Sequence, residues 1–323
     1  MFPTWMGGVP VNTLVRNLLD TGCSVTLFTA SIGLQEDWRA SGDKLSIVAA
    51  PYRSRARDRA IDFFRQERKA LARELRDCQA DIFHAHWTYE FALACVDARV
   101  GPVLVAAHDA PLTILRYLPD WYRFLRACMA LRVSINTRHL TAVSPYLAER
   151  WRKEMLYRSR IEVISNPVPH TRLSLSVSQT HPIILEVADG SPRKNMRTSL
   201  RAFADVRKLI HTSELRLVGG GLRAGSKMES WAHDRNLADG VKFLGRVDRD
   251  EVARHFAEAT LFCHASREES QGICLVEAMH ARLQIIAGAH SGAVPWTLFG
   301  GRAGRLVDVR GPDENGTCDC FSN

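Results

Sequence analysis

Short apolar runs alternate with longer stretches of helical spacing along almost the whole chain. This is the pattern of parallel strands covered by helices. In the first half, residues 24–29, 45–50, 81–86, 102–107, 140–143 and 161–164 read as strands. Between them, 57–78 places Ile61, Phe64, Arg68, Leu71 and Leu75 near one face and predicts a single helix, and 117–133 predicts another. Ser144-Pro145 offers a capping hydroxyl just before a proline at the first helical position. The alternation then lapses over 169–181, which holds Pro169, several serines and little periodicity, and it restarts at Ile183. In the second half, 183–187, 215–218, 241–244, 260–263 and 284–287 read as strands, and 195–210, 248–257 and 274–281 as helices. The fold class expected is therefore α/β with two Rossmann-like domains, 1–168 and 182–323, joined by a linker at 169–181. Only residues 2–6 precede Gly7-Gly8, so the first strand is expected to be absent or very short. The pattern stops after Leu306-Val307, and 311–323 is polar and aperiodic. Both ends thus read as shortened.

Composition agrees with two soluble domains: 323 residues, 46% hydrophobic and 24% charged, fit roughly 100–200 residues per domain. No apolar run approaches the roughly 20 residues that span a bilayer. No basic stretch followed by an apolar one opens the chain, so a cytoplasmic location is expected. The eight cysteines then read as free thiols. Cys318 and Cys320 form only half of a zinc-type motif, and no metal site is expected. The net charge of +8 favours anionic partners. Cations crowd between Arg53 and Arg76. They form either a solvated helix face or a patch resting on the anionic inner face of a membrane. No nucleic-acid recognition motif accompanies them, so no nucleic-acid partner is expected.

Candidate chemistry gathers in 267–279, which contains Glu269, Gln271, Gly272, Ile273 and Glu277. Glu269 lies just past a strand, and Gly272 permits a tight turn into the next helix. The first free N–H groups of that helix make an anion site. Carboxylates suit sugar hydroxyls because they accept two neighbouring hydrogen bonds. His108 follows a strand, where ligands of open parallel sheets bind. His84 and His86 alternate onto one face, to line a cleft or to fill a structural place. Trp121, Tyr122 and Phe124 beside Arg123 and Arg126 read as core packing, or else as an acceptor or membrane surface. His264 reads as a strand cap, and 219–221 as a glycine turn. A nicotinamide oxidoreductase would need G-x-G-x-x-G after a first strand, which Gly7-Gly8 does not supply.

The 267–279 segment resembles the E-x7-E signature of the retaining two-domain glycosyltransferases of family 4, with the GT-B fold. Other pieces match in order: Gly7-Gly8, Ala107-His108-Asp109, 141–144, 164–168, Pro192-Arg193-Lys194-Asn195, Leu217-Val218-Gly219-Gly220-Gly221 and Phe243-Leu244-Gly245-Arg246-Val247. The resemblance implies transfer of a sugar, with retention of configuration, from a nucleotide-sugar donor to a glycan or lipid-linked acceptor. It implies no cofactor and no obligatory metal. Glu277 would hold the donor ribose, and Glu269 the sugar hydroxyls. Lys194, with Arg193 and the N–H groups of Gly272 and Ile273, would neutralise the diphosphate. Gly7 and Gly8 would face that diphosphate, Gly220 and Val247 would flank the base, and His108 would orient the sugar. The chain departs from the family where Asp189 stands in place of an Arg five residues before Lys194, where Gln271 precedes Gly272, and where Trp296 replaces a Glu. It also ends before the helices that close the family's C-terminal domain. The alternative these departures leave open is a catalytically impaired, truncated homologue that only binds nucleotide or glycan.

Overall fold

The computed structural model describes residues 8–168 and 181–310. Residues 1–7, Gly7 among them, the linker apart from His181, and the tail with Cys318 and Cys320 lie outside them. The chain divides into two compact units, Met1–Pro169 and His170–Asn323.

The first unit runs α1 (Val9–Asp20), β1 (Val25–Ile32), β2 (Trp38–Ser41), β3 (Leu45–Tyr52), α2 (Ala56–Ile61), α3 (Arg65–Arg76), β4 (Phe83–His86), α4 (Glu90–Ala98) and β5 (Val103–Ala107). It continues with α5 (Pro111–Tyr117), α6 (Trp121–Asn136), β6 (His139–Ala142), α7 (Pro145–Glu154) and β7 (Ile161–Val163). Strands β4-β5-β6-β7 form a parallel sheet. In the order β1-β3-β2, β1 and β3 are parallel and β2 is antiparallel. The short, half-exposed β2 has no strong apolar signal and escapes the sequence reading. One core fills this unit, with Leu93, Val105, Leu140, Leu147 and Trp151 essentially sealed from solvent. Ser144 caps α7 as expected, accepting from Leu147 N at 3.1 Å.

Two expected helices are each broken. Residues 57–78 form α2 and α3, with Phe63 and Phe64 in left-handed conformation at φ 54° and 58°. The break seats Phe64 fully in the core between Tyr52 and Tyr122, both 6.2 Å away, while Ile61 is left 61% exposed. A straight helix would have put both on one face. Residues 117–133 are likewise split. Pro119 follows α5, and Asp120 starts α6 by accepting from Arg123 N at 2.8 Å. On α6, Trp121 and Phe124 are 65% and 44% exposed and stack on each other at 5.2 Å, so the core reading fails for both. The basic stretch is also less basic outside than its composition implies. Arg53 is held by Asp62 and Glu67, Arg68 pairs with Asp97, and Arg59 is buried. No helix of the described residues is long and apolar enough to cross a membrane.

The second unit runs β8 (Ile183–Val187), a 3-10 turn (Pro192–Lys194), α8 (Met196–Leu209), β9 (Glu214–Val218), α9 (Lys227–His233), β10 (Val241–Gly245), α10 (Arg249–Glu258) and β11 (Leu261–His264). It ends with α11 (Ile273–His280), β12 (Gln284–Gly288), α12 (Val294–Thr297) and β13 (Arg305–Val307). Its six strands are all parallel, in the order β10-β9-β8-β11-β12-β13. From β8 the chain builds outward to β10, then returns past β8 to lay down β11 and move the other way. The switch point lies between β8 and β11, and a crevice opens at the carboxyl ends there.

Candidate functional site

The two loops that leave the switch point meet. After β8 the chain passes Asp189 and makes its 3-10 turn. Asn195, at φ 59°, then redirects it into α8 and ties the turn down, donating to the Ala265 and Val309 carbonyls at 3.1 and 3.0 Å. After β11 the chain passes Glu268 and Glu269 and reaches Gly272. Lys194 Nζ donates to Glu269 Oε1, and His264 Nε2 lies 3.1 Å from the same oxygen. Arg193 Nη1 donates to the Glu268 carbonyl and carboxylate at 3.0 and 3.1 Å. All of these side chains are largely buried.

The charges are strongly coupled. Burial opposes ionisation of Glu269, but Lys194, His264 and Arg193 outweigh it and hold the carboxyl well below its ordinary range. Burial would lower His264. The Cys274 sulfur, 3.6 Å away, and the Glu269 carboxylate prevail and raise it to about 10. Two neighbouring carboxyls go the other way. Burial lifts Glu268 to about 7 against the pull of Arg193, with Glu269 adding to the rise. Burial also lifts Glu186, in the middle of β8, to about 7.

Gly272 sets the mouth of α11. At φ 81° it takes a conformation that side chains resist, and a Cβ there would lie 2.9 Å from Leu275. No side chain caps the helix, so its first N–H groups remain directed outward at Ile273. Glu277 lies further along α11 and accepts from Arg249 Nη1 at 2.9 Å. Beside β9 and β10 a cavity of about 640 Å³ is lined by Asp189, Gly220, Arg223 and Arg246, among others. Gly219 is obligatory there, because a Cβ would come 1.8 Å from the Ala188 carbonyl oxygen. Asp189 accepts from Ser191 N at 2.9 Å and its charge reaches Arg193. Val247 packs against the apolar core of this unit.

In the first unit the carboxyl ends of β4 and β5 bring three imidazoles into contact. His86 Nδ1 and His108 Nε2 are 3.0 Å apart, so one donates to the other. His84 and His86 do share a face, with ring centroids 4.3 Å apart, and Trp87 lies 4.8 Å from His108. Burial lowers His86 to about 3, with His84 and His108 adding to it. Burial and His84 lower His108 to about 4, against a hydrogen bond with Asn166. These rings are therefore neutral near pH 7. Gly8 is the N-cap of α1.

Sequence comparison settles which family uses this arrangement. The model of "Glycosyltransferase Family 4" matches residues 7–172, and that of "Glycosyl transferases group 1" matches 171–314. The chain belongs to glycosyltransferase family 4. A GDP-mannose-dependent alpha-(1-6)-phosphatidylinositol monomannoside mannosyltransferase of Mycobacterium tuberculosis is 29% identical over 200 residues, 56% of this chain and 51% of that protein. A D-inositol 3-phosphate glycosyltransferase of Corynebacterium kroppenstedtii is 29% identical over 148 residues, 44% of this chain and 33% of that protein. The chain spans about half the length, or less, of these curated relatives. Sucrose-phosphate synthase from Thermosynechococcus elongatus superposes with a TM-score of 0.76 at 20% identity, over 96% of this chain and 82% of that one. A glycosyltransferase involved in lipopolysaccharide biosynthesis gives 0.67 at 18%, over 95% and 84%. These likenesses show the GT-B fold.

Within the family 4 chain, the structure brings Lys194, Arg193, Glu269, Gly272 and Ile273 together around one switch point. Gly220 borders the cavity next to them. The sequence reading missed His264 and Glu186. A histidine ending an apolar strand reads as a cap, and a carboxyl inside a buried strand gives no periodic signal. The spacing of His264, five residues before Glu269 and ten before Cys274, is the one hint the sequence holds.

Proposed function

We propose that the chain is a retaining glycosyltransferase that takes a sugar from a nucleotide-sugar donor and passes it to a glycan or lipid-linked acceptor. The observation that carries this reading is that Lys194 is held at the switch point by Glu269, whose side chain lies against Gly272 at the uncapped mouth of α11. A cation and a fixed helix dipole there suit a diphosphate whose negative charge grows as it leaves. In the proposed reaction the acceptor hydroxyl oxygen bonds to the anomeric carbon while the bond from that carbon to the phosphate oxygen breaks. The acceptor proton passes to the departing phosphate, on the face from which it leaves. Arg193 and Lys194 neutralise the diphosphate, with Gly272 and Ile273 offering N–H groups. No obligatory metal takes part. Glu269 contacts the sugar, Glu277 the ribose, and Gly220 and Val247 the base. Names of relatives favour GDP-mannose and phosphoinositide chemistry, while UDP-glucose was bound in a likeness of this fold. The exposed cations of the Arg53–Arg76 stretch give the chain a peripheral hold on an anionic membrane.

The first test is the melting temperature with UDP, GDP, ADP and dTDP. One nucleotide should raise it, and Glu277→Ala should abolish the rise. No shift with any of them sinks the donor assignment. A shift without sugar transfer supports the binding-only alternative, which Asp189 beside Arg193 keeps in view. Transfer that survives a chelator supports the metal-free reading, and loss of transfer overturns it.

A further inference from the structure

The first unit holds a cavity of about 510 Å³ next to the imidazole cluster, and Gly8, Arg59, Trp87, Asp109, Arg123 and Arg126 are among its lining. Arg59 is unusual there. It is only 8% exposed, and its guanidinium lies 4.3 Å over the Tyr52 ring. Its hydrogen bond goes from Nη1 to the Arg53 carbonyl, while Nε is buried without a partner. No carboxylate among the described residues pairs with it. The other lining arginines are engaged: Arg126 faces Glu90 at 3.4 Å and donates to Tyr122 Oη at 3.0 Å, and Arg123 pairs with Asp120. A buried cation without a counter-ion is costly to hold. Gly8 adds the uncapped N-terminus of the twelve-residue helix α1, a second feature that favours negative charge.

We propose that this cavity binds the phosphate of a phosphorylated polyol, which serves as the acceptor. The guanidinium fork of Arg59 matches phosphate oxygens in pairs. Asp109 and Glu90 accept hydrogen bonds from polyol hydroxyls, and the faces of Trp87 and Tyr89 cover the carbon skeleton. The assignment rests on the transferase reading and deepens it by naming what the acceptor carries. The phosphate ester is either free or the headgroup of a lipid. The exposed Trp121–Phe124 pair is on the helix that supplies Arg123 and Arg126, next to where acyl chains would emerge.

The test is binding by the full chain. Glucose 6-phosphate and glycerol 3-phosphate are titrated beside glucose and glycerol. Vesicles of phosphatidylglycerol are compared with vesicles of phosphatidylcholine. The phosphate esters, or the phosphatidylglycerol vesicles, should bind at least tenfold more tightly than their counterparts. Arg59→Gln should remove that preference, and Arg152→Gln, on the exposed surface outside the Arg53–Arg76 stretch, should keep it. Preference for the soluble esters identifies a free acceptor, and preference confined to vesicles identifies a lipid; either supports the site. Equal binding of phosphorylated and neutral polyols overturns it, as does an unchanged preference in Arg59→Gln. If Arg59→Gln does not fold, Arg59→Lys is measured instead. It keeps the charge without the fork and should bind several-fold more weakly, and unchanged binding counts against the site. The nucleotide-induced melting shift separates this idea from the donor assignment. It should survive Arg59→Gln, and its loss would reassign the arginine to the donor.

Discussion

Lys194 and Glu269 stand 75 positions apart and meet only because β8 and β11 are neighbours. Both were legible from the motif, since the chemistry of a leaving diphosphate demands a cation and the glycine turn marks a helix mouth. Their contact was not legible, because strand order is a property of the folded sheet. Lys194→Met would leave a deeply buried carboxylate without its nearest cation, facing His264 and the more distant charge of Arg193. Unfolding in urea should reveal a loss of about 3 kcal/mol, together with loss of the nucleotide-induced melting shift. A stable variant that still responds to nucleotide would remove Lys194 from the site. Gly219 gives a sharper case at the same scale. Gly219→Ala must displace the Ala188 carbonyl, so the variant should melt several degrees lower and bind nucleotide poorly. Gly221→Ala, at φ 79° but 3.7 Å from its nearest neighbour, should be milder.

At the level of elements, helix and strand types follow the apolar pattern closely, but breaks do not. Periodicity reads 57–78 as continuous because Ile61, Phe64, Leu71 and Leu75 fit a 3.6-residue repeat, and it cannot see that Phe64 gains more from the core than the helix gains from continuity. The two phenylalanines in left-handed conformation record that competition. Phe64→Ala should therefore cost about 3–5 kcal/mol in chemical denaturation, whereas Ile61→Ala should stay within about 0.5 kcal/mol. Similar losses at the two positions would contradict the break. The start of α6 was open to the same mistake, although Pro119-Asp120 announces it. Asp120→Ala should cost about 1 kcal/mol as a lost cap.

For the whole molecule, the two units should answer pH in opposite directions. In the first, His86 and His108 are depressed from 6.5 to about 3 and about 4. Their contribution is present above pH 6.5 and is lost as pH falls below it, because the unfolded chain takes up protons first. In the second, Glu186 and Glu268 are raised from 4.5 to about 7, and His264 from 6.5 to about 10. Those contributions are present in acid and are lost as pH rises through 7 and on toward 10. Hydrogen exchange resolved by unit should show the first loosening between pH 7 and 5, and the second between pH 6.5 and 8.5. Movement of both in one direction would refute the coupling. The α/β class and the family 4 motifs were plain in the sequence because they rest on local pattern. The coupling was not, because it depends on which side chains the sheet seals from water.

Glu186 carries one more consequence. It is a carboxyl sealed in the centre of a six-stranded sheet, with Oε2 lacking any hydrogen-bond partner. Its other oxygen accepts from Ala265 N at 3.1 Å, at the start of the loop that leads to Glu269. For anyone building a hardier version of this chain, it marks untapped thermal tolerance. Glu186→Gln keeps the volume and abolishes the ionisation, and at pH 8 it should raise the melting temperature. If the engineered chain gains heat resistance but turns over more slowly, then this acid serves turnover at the expense of robustness.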